Sequence, residues 1–212
     1  MPLEKNFWCD PDALNTTTWT YTTKANETIY DVAAAVKRGV CDIARENCMA
    51  DALMPLTTGE TLLIPGEACE ADETTCLIVA DADDNYSDCV IGGPHTYTTV
   101  KGDTLAYIAL KFNLTVASLQ ATAEPQGLGY DPNATIVPGN DIKVPLCSPS
   151  KCEISPWAVT YGTYKDWAPK LGTTVGQLMA LNPTFNHSEG GGAVIEWAYN
   201  CVTLAENTTV IS

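Results

Sequence analysis

Three stretches of the chain keep a helical hydrophobic period. Ile29, Val32, Ala33 and Val36 stand at i, i+3, i+4 and i+7. So do Leu105, Ile108, Ala109 and Phe112, and later Tyr164, Trp167, Ala168 and Leu171. Each stripe covers one face of an amphipathic helix. Thr96–Val100 and Trp157–Tyr161 precede two of these helices as extended segments. A second helix is expected after each first one. Asp42 is read as the cap of the first, Thr115 as the cap of the next with Val116 and Leu119 facing inward, and Thr173–Met179 as the third. Thr61–Pro65, Asp141–Pro145 and Val194–Trp197 read as returning strands, the first two closed by proline. Asp103 and Thr163 are read as caps of the helices they precede. Pro169 falls inside a predicted helix, at a cost of about 3 kcal/mol unless the helix bends or ends early.

The pattern therefore predicts strand, helix, helix, strand, repeated. Tyr97-Thr98-Thr99-Val100-Lys101-Gly102-Asp103-Thr104-Leu105 has an eroded copy in Tyr21-Thr22-Thr23-Lys24-Ala25-Asn26-Glu27-Thr28-Ile29. Such self-similarity marks a small module used more than once. The predicted fold class is α+β, with three small βααβ modules over 19–69, 95–147 and 157–201 joined by disulfide-stapled linkers. Residues 70–94 read as an acidic, cysteine-bearing linker and 148–156 as a shorter one. The short connector places modules 2 and 3 in contact, and the long one lets module 1 fold back on module 3. A loop with Gly127, Gly129 and Pro132 precedes the second returning strand.

Modules of about 45 residues bury little core, and below roughly 70 residues staples are usual. The chain has nine cysteines and no CxxC pair of the metal-binding kind. Cysteines at module ends and in linkers fit an oxidising compartment. Seven Asn-x-Ser/Thr sequons, at Asn15, Asn26, Asn85, Asn113, Asn133, Asn186 and Asn207, agree with passage through the secretory pathway. Met1–Lys5 carries no apolar leader segment, so the chain reads as a mature form with an added or retained start. The polar tail Asn207–Ser212 argues against a lipid-anchor signal. With a formal net charge of −15, the surface repels nucleic acid and anionic membranes, and neither is expected as a partner.

The motif Tyr-Thr-x-x-x-Gly-Asp-Thr-Leu and the βααβ order resemble a LysM module. Three such modules in a short cysteine-bearing chain resemble the secreted LysM effectors of fungi. The resemblance covers roughly residues 19–201 and is sharpest in module 2, through Gly102-Asp103-Thr104-Leu105 and Val144-Pro145. In module 1 Asn26 and Glu27 replace Gly and Asp, and module 3 has Tyr161-Gly162-Thr163-Tyr164 at that place. Eight cysteines fit the family placement and are the disulfide candidates: Cys9, Cys41, Cys69, Cys76, Cys89, Cys147, Cys152 and Cys201. Cys48 is the odd thiol, and the pairing stays open among 105 connectivities.

The resemblance implies a non-catalytic protein that binds N-acetylglucosamine chains in a shallow groove between two loops of each module. An acetamide offers one donor, one acceptor and a methyl group, which loop backbone and a small apolar patch can satisfy. The implied grooves are Asn26-Glu27-Thr28-Ile29 with Leu53-Met54-Pro55, Gly102-Asp103-Thr104-Leu105 with Asp131-Pro132-Asn133-Ala134-Thr135, and Gly162-Thr163-Tyr164 with Phe185-Asn186-His187. Gly102-Asp103-Thr104 would also make a turn and helix cap with no sugar present. The family further implies a clasp of one chain by modules 1 and 3, whose tethering raises the effective concentration of the second contact. Ligand-induced or homo-oligomeric association is left open. A glycan at Asn26 or Asn133 would obstruct a groove. Asn15, Asn85, Asn113 and Asn207 are the glycosylation candidates.

No cofactor or metal is expected. Asp81-Ala82-Asp83-Asp84-Asn85 begins like a calcium loop, but Tyr86 and Gly92 stand where Gly and Glu are needed. His95 and His187 read as solvent-facing loop residues. Trp8, Trp19, Trp157, Trp167 and Trp197 read mainly as packing residues. No nucleophile elbow or phosphate loop is present, and modules and linkers leave no room for a catalytic domain.

Overall fold

A computed structural model of the protein describes residues 9–80, 85–123, 127, 131–187 and 192–211. Three units share the order strand, helix, helix, strand. In the first, β1 (Trp19–Thr22), α1 (Ile29–Val36), α2 (Val40–Glu46) and β2 (Thr61–Ile64) close as an antiparallel pair. A short β3 (Val90–Ile91) leads to β4 (Thr96–Thr98), α3 (Leu105–Phe112), α4 (Val116–Ala123) and β5 (Asp141–Lys143). After β6 (Leu146–Ser148) the third unit follows as β7 (Ser150–Ala158), α5 (Tyr164–Leu171), α6 (Val175–Leu181) and β8 (Val194–Thr203). A last strand, β9 (Thr209–Ile211), joins β3 and β6 in a three-stranded sheet.

The units repeat in detail. Thr23 N donates to Glu60 O and accepts at its own carbonyl from Gly59 N, both at 2.9 Å. Thr99 makes the same pair with Asn140 and Gly139, and Val159 with Ala193 and Gly192. In units 1 and 3 an asparagine staples the second helix to the last strand. Asn47 bonds Ile43 O and both backbone groups of Leu63, and Asn182 bonds Leu178 O and both groups of Glu196.

The hydrophobic stripes face inward: Ile29, Val32, Leu105, Ile108, Phe112, Tyr164 and Trp167 are all buried. Units 2 and 3 share one core, with α3 packed on α6. That approach needs Gly176, because a Cβ there would lie 2.3 Å from the Phe112 ring. Unit 1 has its own core and contributes Cys48 and Ala50 to the other. The long connector does bring unit 1 back onto unit 3. Arg45, in the last turn of α2, makes a two-pronged bond to Asp166 of α5 at 3.0 and 2.9 Å and a third to Asp72 at 2.6 Å.

Four disulfides join Cys9–Cys69, Cys41–Cys76, Cys89–Cys147 and Cys152–Cys201. Cys48 is free and buried; desolvation, helped by Glu46, pushes its thiol up to about 11.

Several expectations need correction. Asp42 does not cap α2. Gly39 holds that place, and the Asp42 carboxylate instead accepts from Asp72 N. Thr104, not Asp103, caps α3. Of residues 148–156, read as a linker, Ser148 ends β6 and 150–156 lie in β7, which pairs along β8 with one register shift between Lys151 and Glu153. The second helix of unit 3 begins at Val175, capped by Thr174. Pro169 does lie inside α5, which ends two residues later at the left-handed Gly172. His95 is exposed as expected, but His187 is half-buried and its Nδ1 has no partner among the described residues. Trp167 lies in the core with Trp157 and Trp197 against it, while Trp19 stays exposed. Asn15, Asn26, Asn85, Asn113, Asn133 and Asn207 are exposed, and Asn186 is half-buried. Trp8, Gly129, the first four residues of the calcium-like loop and both extreme termini lie outside the described residues.

Candidate functional site

The repeated motif explains itself as a loop scaffold. In unit 2 the Asp103 carboxylate accepts from Tyr97 OH and from Val100 N, both at 2.8 Å. In unit 1 Glu27 accepts from Tyr21 OH at 2.9 Å and from Lys24 N at 2.7 Å. Tyrosine and acid six places apart thus latch the turn between strand and helix. The turn needs a left-handed residue, which Gly102 supplies at φ 97° and Asn26 at φ 62°. Thr28 and Thr104 then cap the helices, Thr28 reciprocally with Asp31. The second loops also match: Asp51 accepts from Leu53 N and Asp131 from Asn133 N, both at 2.9 Å.

With the same scaffold, the two loop pairs end differently. In unit 1 they stand apart, and among the described residues no hydrogen bond crosses between 24–30 and 51–56. Between them is a cavity of about 710 Å³. It is lined by all seven residues expected there: Asn26, Glu27, Thr28, Ile29, Leu53, Met54 and Pro55. Tyr30, Leu56, Thr57 and Thr58 complete this unit's wall, and Tyr30 is 48 % exposed. Two residues arrive from elsewhere, Lys101 from unit 2 and Asn186 from unit 3.

In unit 2 the loops are laced together. Ala106 N donates to Pro132 O at 2.9 Å and Ile136 N to Asp103 O at 2.8 Å. Asp103 is buried, and its carboxylate is further held by Lys111 Nζ at 2.7 Å. Its side chain is thus a structural anchor of the loop. Gly102 and Asp131, Asn133, Ala134 and Thr135 are exposed, while Thr104 and Pro132 are half-buried and Leu105 is in the core.

In unit 3 the expected groove is covered. Gly162, Thr163 and Tyr164 are buried. Gly162 N donates to Arg45 O and Tyr164 N to Met49 O, and the Tyr164 ring stacks on Phe185 at 5.6 Å. Asn186 O accepts from Ala50 N at 2.8 Å. The first loop of unit 3 is therefore a contact surface for unit 1, and Asn186 serves unit 1's cavity. His187 lies beside it, half-buried.

A buried ionic cluster joins units 1 and 2. Lys111 is 1 % exposed and sits between Asp103 and Asp51, at 2.7 and 3.5 Å. Tyr107 OH donates to Asp51 at 2.8 Å. Burial, reinforced by Asp103 and Asp51 respectively, drives the Tyr97 and Tyr107 hydroxyls far above the usual phenol range, so both remain donors. The sequence contained one sign of the Tyr30 role, an aromatic at a polar-face position of an amphipathic helix. Nothing in it pointed to Lys101, which reaches the site through the packing of units.

Among the described residues no group of three or more acidic, histidine or cysteine side chains could hold a metal, and no helix is long and apolar enough to cross a membrane. Residues 97–145 match the LysM domain family. The chain is 35 % identical to the secreted LysM effector ECP6 of Passalora fulva over 84 % of this chain and 76 % of that one. It is 34 % identical to the secreted LysM effector ELP2 of Colletotrichum higginsianum over 59 % and 66 %. It is also 42 % identical to the secreted LysM effector LysM13 of Penicillium expansum over 95 % of this chain and 87 % of that one, and so the protein belongs to the secreted LysM effector family.

Proposed function

We propose that the protein is a secreted, non-catalytic binder of chitin oligosaccharides built from three LysM modules, of which module 1 carries the principal groove. The observation that carries this reading is the open cavity between 26–30 and 53–58. Its apolar Ile29, Leu53 and Met54 suit an acetamide methyl, loop backbone suits the amide, and exposed Tyr30 offers a sugar face. The recurring strand-closing bonds and asparagine staples support the count of three modules. Asn186 at the rim supports a share for module 3 in holding the chain. A groove walled by three units suits a free chitin fragment better than a packed fibril, so sequestering fragments from host receptors is favoured over shielding hyphal chitin.

Calorimetric titration with a chitin hexamer tests this, with soluble peptidoglycan fragments and cellohexaose as controls. Heat with chitin alone is expected. Tyr30→Ala should weaken binding about tenfold, roughly 1.4 kcal/mol, while Asn133→Ala in the laced loops of module 2 should leave it within twofold. Silence with every sugar would refute carbohydrate binding and leave a scaffold for a protein partner.

A further inference from the structure

The groove of module 1 does not end at its own loops. A second cavity, of about 250 Å³, opens between Leu53 and Met54 on one side and Val100, Lys101 and Gly102 on the other. Leu53, Met54 and Lys101 line both cavities, so the two spaces meet along a shared wall. Leu53, which lines both, is 40 % exposed. The cleft is held open by built-in contacts. Tyr107 OH bonds Asp51 beneath it, and Lys111 ties Asp51 to Asp103 across the two modules. These carboxylates are committed to buried partners, which leaves the lip to apolar Leu53, Met54 and Val100 with the exposed ammonium of Lys101.

We infer that the cleft between modules 1 and 2 is a further subsite that receives the continuing end of the same N-acetylglucosamine chain. The inference rests on module 1 being a chitin groove. The occupant is argued from continuity: the second cavity begins at Leu53, Met54 and Lys101, which also bound the first, so a linear polymer lying in the first cavity is brought up to its edge. The chemistry fits as well. Apolar Leu53, Met54 and Val100 accept a methyl or the flat face of a sugar ring. Lys101 offers N–H donors to hydroxyl and carbonyl oxygens. The first loop of module 2 would thus serve module 1, consistent with its second loop already being laced to it.

Chain length tests the inference on the intact glycosylated protein. Chitin tetramer, hexamer and octamer are titrated by calorimetry, with sedimentation of the complexes to confirm one protein per chain. The longer chains should bind the wild type about tenfold more tightly than the tetramer. Val100→Gln changes a half-buried residue that lines only the second cavity and puts a longer polar side chain there. It should abolish that gain and change tetramer affinity by less than threefold. Equal affinity for all lengths, or a gain that survives in Val100→Gln, overturns the subsite but leaves the groove of module 1 standing. Failure of every length to bind would instead overturn both.

Discussion

Modules 1 and 2 share the tyrosine–acid latch and the left-handed turn of their first loops, yet one presents a cavity and the other a seam. Tyr21 and Glu27 repeat Tyr97 and Asp103, and Asn26 repeats the left-handed Gly102. The Asp51 turn repeats that of Asp131. What differs is the company each keeps. The Asp51 loop is pulled toward module 2 by Tyr107 OH, whereas the Asp131 loop leans on its own module through Ala106 N and Ile136 N. A groove here depends less on its own motif than on which neighbour claims the loop. The best-matching module by sequence is therefore not the one whose loops stand open.

The sharpest way to break this contrast is to remove the cation between the modules. Lys111→Met leaves Asp51 and Asp103 buried without a positive partner. The expected loss is about 3–5 kcal/mol in denaturant unfolding. The variant Lys111→Met/Asp51→Asn/Asp103→Asn has no charge left to strand and should recover much of that loss. If Lys111→Met cost nothing, the cluster would not be what holds module 1 against module 2.

A second comparison separates module 1 from module 2 through Asn47, whose place in module 2 is taken by Ala123. Asn47→Ala orphans the backbone groups of Leu63 and one bond to Ile43 O. Each buried group left unpaired costs roughly 1–3 kcal/mol. Unfolding should shift accordingly, with faster amide exchange at Leu63. The reverse change, Ala123→Asn, should bring no comparable gain, because the module 2 core already closes over that position.

Much of this arrangement was legible before any coordinates, for local reasons. Helix stripes such as Leu105–Phe112 depend on a period of a few residues, and strands ending at Pro65 depend on a missing donor. Most of the module 1 cavity lining was legible because it comes from short contiguous segments. Asp103 was misread because aspartate suits a cap as well as a latch, and only the fold shows that Thr104, one position on, takes the cap. Gly162–Tyr164 were misread because burial there is imposed by Arg45 and Met49, more than a hundred residues away. Lys101 escaped for the same reason. What sequence pattern does not encode is how modules lie on each other.

The smallest effect concerns the module 1–module 3 contact and its pH dependence. Desolvation alone would raise the Asp72 and Asp166 carboxyls. Bonds from Thr75 and Arg45 at Asp72, and from Arg45 and Thr163 at Asp166, outweigh it and hold both below the usual carboxylate range. A carboxyl lowered on folding stabilises the folded state above its unfolded value, near 3.9, and loses that contribution as pH falls through its folded value. The contact should therefore be fully engaged at pH 5 to 7 and weaken below about pH 4. Both groups are partly exposed, so solvent screens the effect and the shift should be modest. Thermal melts of wild type and Arg45→Met between pH 3 and 7 read it directly. The wild-type advantage should begin to shrink below about pH 4 and be smaller at pH 3 than at pH 7. An advantage that stayed constant across that range would assign Arg45 a packing role without ionic linkage, and the covering of module 3's first loop would then rest on the backbone bonds of Gly162 and Tyr164 alone.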